Sequence, residues 1–130
     1  MNATPDAAFF ARLRVQDAVF SAGLPALLDQ LAALHDPQSP QPAPACSAEL
    51  QHRLHTLSGC AATFGYRRLG VEARALEQRL RVLQAFDAVP AVDWTTWFTQ
   101  LAALIAWARV DPHDEHGAAR AIAAPSPELL

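Results

Sequence analysis

The chain has 130 residues, 52% of them hydrophobic and 18% charged, which supplies one domain with a single core and excludes a disordered charged tail. Its formal net charge of -3 lacks the basic balance of a nucleic-acid binder, so no DNA or RNA partner is expected. Met1 is followed by no basic and apolar leader, and no stretch reaches the roughly 20 apolar residues of a membrane span, so a cytoplasmic protein with no membrane partner is expected.

Alanine (28) and leucine (17) dominate, glycine is scarce (5), and all ten basic residues are arginine. Ala, Leu and Arg are among the best helix formers. Between the Pro and Gly punctuation the apolar residues recur at steps of three and four, and no segment reads as a strand. The first helix is predicted from about Pro5 to Phe20, with Ser21-Ala22-Gly23 loosening the chain. Leu24-Pro25 restarts it, because proline suits a first-turn position. This second helix carries Leu24, Leu27, Leu28, Leu31 and Leu34 on one side and is expected to end near His35-Asp36-Pro37.

The run 37–46 contains Pro37, Pro40, Pro42 and Pro44 and reads as a stiff, exposed connection. Ser47 then suits an N-cap, with Glu49 in the first turn, and the third helix is predicted to end at Phe64 with Gly65 in a left-handed terminating conformation. A fourth helix from about Arg67 to Phe86 carries Leu69, Ala73, Leu76, Leu80 and Leu83. After Val89-Pro90, Asp93 can cap a fifth, whose inner face is Trp94, Trp97, Phe98, Leu101, Leu104, Ile105 and Ala108. The expected fold is all-α, an antiparallel four-helix bundle core with an additional N-terminal helix. It should occupy residues 1–110, leaving 111–130 as a partly ordered C-terminal tail. The N-terminal Met1 and the polar, Pro-containing end favour an independent protein.

The third helix is the informative one. At 100° per residue, Leu50, Leu54, Leu57, Ala61 and Phe64 fall within roughly 40° of one line and form its core stripe. His55 lies about 140° from that line and Gly59 about 180° from it, so both face solvent. A mid-helix glycine costs about 0.5–1 kcal/mol relative to alanine, and something should offset that cost in a sequence already full of alanine. Ser58 and Ala62 are also small, so the surface around His55 is low. A side chain raised over such a depression can enter another protein's concave site, as a phosphoryl acceptor must. By itself an exposed histidine is more often a solvated surface residue.

The run His55-Thr56-Leu57-Ser58-Gly59, then Cys60 to Phe64, Gly65, Leu69 and finally Leu76-Glu77 resembles the histidine-containing phosphotransfer (HPt) domain. That family's pattern is His-x-Leu-Lys-Gly, five mostly small residues, Gly, x-x-x-Leu and a later Leu-Glu. The resemblance implies that His55 is the phosphorylated residue, Gly59 the clearance beneath it, Leu57 a core anchor and Gly65 the turn. It also implies a phosphorelay intermediate of bacterial two-component signalling, without kinase activity of its own. Such a protein accepts a phosphoryl group from a receiver-domain aspartate and passes it to another receiver. The implied partners are a response-regulator receiver domain, a hybrid sensor kinase, or both, and the chain is expected to act as a monomer. No cofactor is implied beyond Mg²⁺ on the partner receiver. Gln51, His52, Ser58, Gly59 and Ala62 would surround the phosphosite and meet the receiver.

One position departs from the pattern. Ser58 stands where the family usually has lysine, and Arg67 and Arg68 are candidates to supply that positive potential. The alternative reading is a helical docking module that binds a receiver or an enzyme without passing phosphate. A metal site is disfavoured, because the pairs His52/His55 and His113/His116 lack the paired Glu-x-x-His of carboxylate-bridged bundles. Cys46, read as a loop thiol, and Cys60, about 80° from the core line, are expected to be free thiols with no activating base in sight.

Overall fold

Pro and Gly divide the chain less sharply than their positions suggest. A computed structural model describes residues 5–117. Four long helices follow one another: α1 (Pro5–Ala33), α2 (Pro44–Thr63), α3 (Arg67–Gln84) and α4 (Ala91–Val110). They are joined by the Pro-rich connection and two short loops, and no strand occurs among the described residues.

The two N-terminal segments predicted as separate helices are one continuous helix with Pro25 inside it. Proline in a helix interior removes a hydrogen bond and costs about 3 kcal/mol. Here the carbonyl that loses its donor belongs to Ser21, which is exposed and open to hydration. Phe20, Leu24, Leu28 and Leu31 are buried on the same side across the break, each contributing about 1.5–3 kcal/mol, and this keeps the helix axis continuous. The expected additional N-terminal helical segment is therefore the first half of α1, with Phe9, Phe10, Val15 and Val19 exposed.

The starts of two other helices also differ from expectation. The second helix of the bundle begins at Pro44, with extended Ala43 before it and no side-chain cap. Proline at the first helical position forfeits a donor that would have been orphaned anyway. Ser47, predicted as the cap, is instead buried within α2 and accepts a hydrogen bond from Gln84 Nε2. Cys46 likewise lies in the helix, not in a loop, and its thiol donates to the Leu34 carbonyl at 3.1 Å. In α4 the N-cap position is Pro90, and Asp93 sits within the first turn without capping it, where its charge still complements the helix dipole.

The end of α2 follows the expectation. Gly65 has φ +83°, and the Tyr66 N–H bonds the Ala61 carbonyl at 2.9 Å, the six-to-one bond of a left-handed helix terminus. The chain reverses there, so α2 and α3 form an antiparallel hairpin. Its contacts run in one register: Ser47 meets Gln84, His55 meets Glu77, and Ser58 and Ala62 meet Gly70. Against this hairpin α4 buries Trp94, Trp97, Phe98, Leu101, Leu104, Ile105, Trp107 and Ala108, and the Trp97 indole donates to the Leu76 carbonyl at 2.9 Å. The second half of α1 closes the core, helped by Phe20 stacking on Phe64 and packing edge-on to Tyr66.

Residues 111–117 fold back on the bundle. The His113 ring stacks on Tyr66, Trp107 Nε1 donates to the Asp114 carbonyl, and Glu115 pairs with Arg67. The rest of the expected tail, 118–130, lies outside the described residues. No described helix is long and apolar enough to cross a membrane.

Gly70 is the tightest point of the hairpin. A Cβ there would meet the Ala62 backbone nitrogen at 3.2 Å and the Ser58 carbonyl oxygen at 3.3 Å, and backbone cannot yield as a flexible side chain can. Overpacking of this kind costs about 1–3 kcal/mol, which outweighs the helix-propensity gain of about 1 kcal/mol. Gly70→Ala is therefore expected to lower the urea midpoint, with a loss of about 1 kcal/mol, although glycine-to-alanine changes in helices ordinarily stabilise.

Candidate functional site

The middle of α2 presents His55 on the hairpin's outer face. Leu50, Leu54, Leu57 and Ala61 are buried and Phe64 is half-buried, so the core stripe faces inward and turns His55 out. The His55 side chain is 70% exposed. It is nevertheless oriented, because its Nδ1 lies 3.2 Å from Oε1 and 3.4 Å from Oε2 of Glu77 on α3.

Glu77 is the buried half of this pair, with a side chain only 7% exposed. It falls on the apolar stripe of α3, between Ala73, Leu76 and Leu80. A buried charge of this kind must be paired and hydrogen-bonded to be tolerated. Its Oε1 also receives Arg81 Nη2 at 3.0 Å, from the same helix one turn on, where Glu and Arg side chains naturally meet. When Nδ1–H donates to this carboxylate, the free ring nitrogen is Nε2, on the side of the ring away from Glu77.

The surroundings of His55 are low. Gly59 is exposed and a Cβ built on it would touch nothing within 4 Å, so no packing inside the described chain requires glycine there. Ala62 is exposed further along the helix, while His52 is exposed and Gln51 half-buried one turn before His55. The Ser58 hydroxyl donates to the His55 carbonyl at 3.0 Å and is thus directed back along its own helix.

The two arginines expected to lend positive potential are engaged elsewhere. Arg67 pairs with Glu115 and Arg68 with Glu72. Both lie at the start of α3, nine or ten residues before Glu77 and so about 15 Å away along the helix. The cation that shares a carboxylate with His55 is Arg81, which sequence reasoning did not single out. A usable signal for the pair was present: an acid in register with Leu69, Ala73, Leu76 and Leu80, followed four residues later by an arginine.

Besides His55, this part of α2 carries the exposed imidazole of His52 and the half-buried thiol of Cys60. The Cys46 thiol is engaged with a carbonyl, and burial pushes its pKa up, which favours the unreactive thiol. Among the described residues no group of three or more His, Cys, Asp and Glu side chains converges as a metal site would. The chemistry available is that of one oriented, solvent-facing imidazole nitrogen above a depression.

A family model of the Hpt domain matches residues 18–107. No curated protein and no solved structure matches the chain. The matched span takes in the second half of α1, all of α2 and α3 and most of α4, and includes His55, Gly59, Glu77 and Arg81.

The open space at Gly59 generates a stability test. With nothing within 4 Å of its Cβ position, Gly59→Ala should gain helix propensity without strain and stabilise the protein by about 0.5–1 kcal/mol. The check is a urea midpoint above that of the parent, the opposite sign to Gly70→Ala.

Proposed function

Because the chain belongs to the Hpt domain family, which carries phosphoryl groups in two-component phosphorelays, we propose that His55 is the phosphoryl-accepting residue of a phosphorelay intermediate. It takes the group from a receiver-domain aspartyl phosphate and passes it to the aspartate of another receiver. The observation that carries this reading is the oriented exposure of His55, whose Nδ1 is tied to buried Glu77 while Nε2 faces outward.

The step is an in-line displacement that asks mainly for positioning and charge stabilisation. The Nε2 lone pair attacks phosphorus, the N–P bond forms, and the P–O bond to the donor aspartate breaks with its electron pair staying on the carboxylate. The ring gains positive charge as Nε2 becomes bonded, and the Glu77 carboxylate against Nδ1–H stabilises that charge. The reverse displacement onto a second aspartate restores the neutral ring. Phosphate neutralisation falls to the receiver, which supplies Mg²⁺, and this chain works as a carrier without kinase activity of its own.

Gly59 and Ala62 give the receiver room to close over His55 without collision, while Gln51 and His52 border the approach from the other side. Position 58 carries no lysine, and the cation beside the pair is Arg81 of α3, which bonds the same Glu77 oxygen that faces His55.

Incubation with a phosphorylated receiver domain should place an acid-labile, base-stable label on the protein. His55→Gln should take up none. Label on His55→Gln at the wild-type level would overturn the assignment, and receiver binding by the wild type without any label would mark a docking module instead. Glu77→Ala should still be labelled, at least about tenfold more slowly, since removing the partner of Nδ1 frees the ring to adopt the other tautomer.

A further inference from the structure

We propose that Arg74 is the phosphoryl-binding cation of this chain: from α3 it reaches across Ser58 and takes the oxygens of a phosphoryl group held on His55. The inference rests on the reading of His55 given above for the transfer step, whereas anion binding by Arg74 can be tested without a receiver.

The position of Arg74 follows from the hairpin register. Ala62 and Gly70 approach one another across the seam between α2 and α3, as do His55 and Glu77, and the two pairs stand seven residues apart on both helices. Arg74 is four residues beyond Gly70 and three before Glu77, so it is level with Ser58, four before Ala62 and three beyond His55. Along the axis it is only about 4.5 Å from Glu77. Around α3, Glu77, Gly70, Arg81 and Arg74 fall within an arc of about 60°. Glu77 and Gly70 are buried at the seam, whereas Arg81 and Arg74 are exposed, which puts the two arginines along its outer edge. Arg81 is level with Gln51, four residues before His55, so His55 stands between the levels of the two arginines.

Of the arginines around the site, Arg74 is the one with charge to spare. Arg81 is bonded to Glu77, Arg67 to Glu115, Arg68 to Glu72 and Arg53 to Glu49. Arg74 makes no ion pair or side-chain hydrogen bond among the described residues. Arg79, also on α3, is turned about 160° from Glu77 and faces away from the seam. A phosphoryl group on Nε2 brings about two negative charges to a ring already beside the Glu77 carboxyl group. A guanidinium presents its donors as a planar fork that matches phosphoryl oxygens two at a time. Ser58 is small and its hydroxyl is turned back to the His55 carbonyl. Gly59 beside it has open space where a side chain would stand, so the path over α2 is low. The bonds made and broken remain those of the displacement at phosphorus; Arg74 keeps its protons and contributes charge and hydrogen bonds alone.

Two readouts test this. In the first, transfer from a phosphorylated receiver is timed over a range of receiver concentrations. Arg74→Met keeps most of the stem and removes the cation, so its maximal rate should fall about tenfold or more, with the half-saturating concentration little changed. Ser58→Lys, added to Arg74→Met, puts an ammonium at the same level of the seam and should restore most of the lost rate. In the second, ¹⁵N-labelled protein is phosphorylated with phosphoramidate, a small donor that needs no receiver, and the Arg74 Nε–H signal is followed. It should move in wild type and stay in place in His55→Gln. A wild-type maximal rate in Arg74→Met would overturn the inference and leave the phosphocarrier reading standing. A change confined to the half-saturating concentration would do the same and mark a docking contact. A slowed Arg74→Met that Ser58→Lys does not recover would also overturn it, as would an Arg74 signal indifferent to phosphorylation of His55. A signal that moves with phosphoramidate while no receiver labels the wild type would support anion binding by Arg74 and refute the phosphocarrier reading.

Discussion

The close approach of α2 and α3 at Gly70 is the constraint on which the site depends. With no side chain at that position, the backbone of α3 comes into contact range of the α2 backbone at Ser58 and Ala62. The turn at Gly65 reverses the chain just above, and the two features together set the antiparallel register. Everything at the same level follows from it, including the placement of Glu77 beside His55 and of Gln84 beside Ser47. A wider hairpin would leave the imidazole and the carboxylate too far apart for a hydrogen bond, and a shift of one residue would rotate Glu77 by about 100° away from α2.

The register lets one exposed side chain borrow order from the core. Glu77 sits in the stripe of α3 that packs against α2 and α4, and the Trp97 indole bonds the carbonyl of the residue before it. The carboxylate is therefore held by the core, with two polar partners at the surface. His55 takes its orientation from this buried group while its outer nitrogen remains in water. A histidine on an unsupported surface would lose rotamer freedom on meeting a partner, and part of that cost is met in advance here. The glycine beneath it leaves the approach open, so order on one side of the ring coexists with clearance on the other.

The sequence made much of the bundle legible. Leu50, Leu54, Leu57 and Ala61, and Trp94 to Ala108, are the inward faces that their spacing indicated, since a 3.6-residue period identifies the stripe whatever it packs against. Helix starts were less legible. Ser47 has the chemistry of an N-cap, yet Pro44 initiates the helix and the serine is enlisted by Gln84, 37 positions away. Pro25 has the chemistry of a helix start, yet the buried residues on both sides of it keep α1 continuous. In both cases a local preference worth about 1–3 kcal/mol yielded to burial that local sequence does not display.

The candidate site divides along the same line. Sequence alone determined that His55 faces outward and that Gly59 stands bare on that face, because both follow from angles around a single helix. It also displayed an acid within an apolar stripe at Glu77, without saying what the acid would meet. Only the tertiary structure decided that Glu77 meets His55, that Arg81 shares its oxygen, and that Arg67 and Arg68 spend their charge on Glu115 and Glu72. The reason is physical: intrahelical geometry is fixed by 1.5 Å and 100° per residue, whereas the pairing of side chains on different helices depends on interhelical distance and register, which here are set by the contact at Gly70.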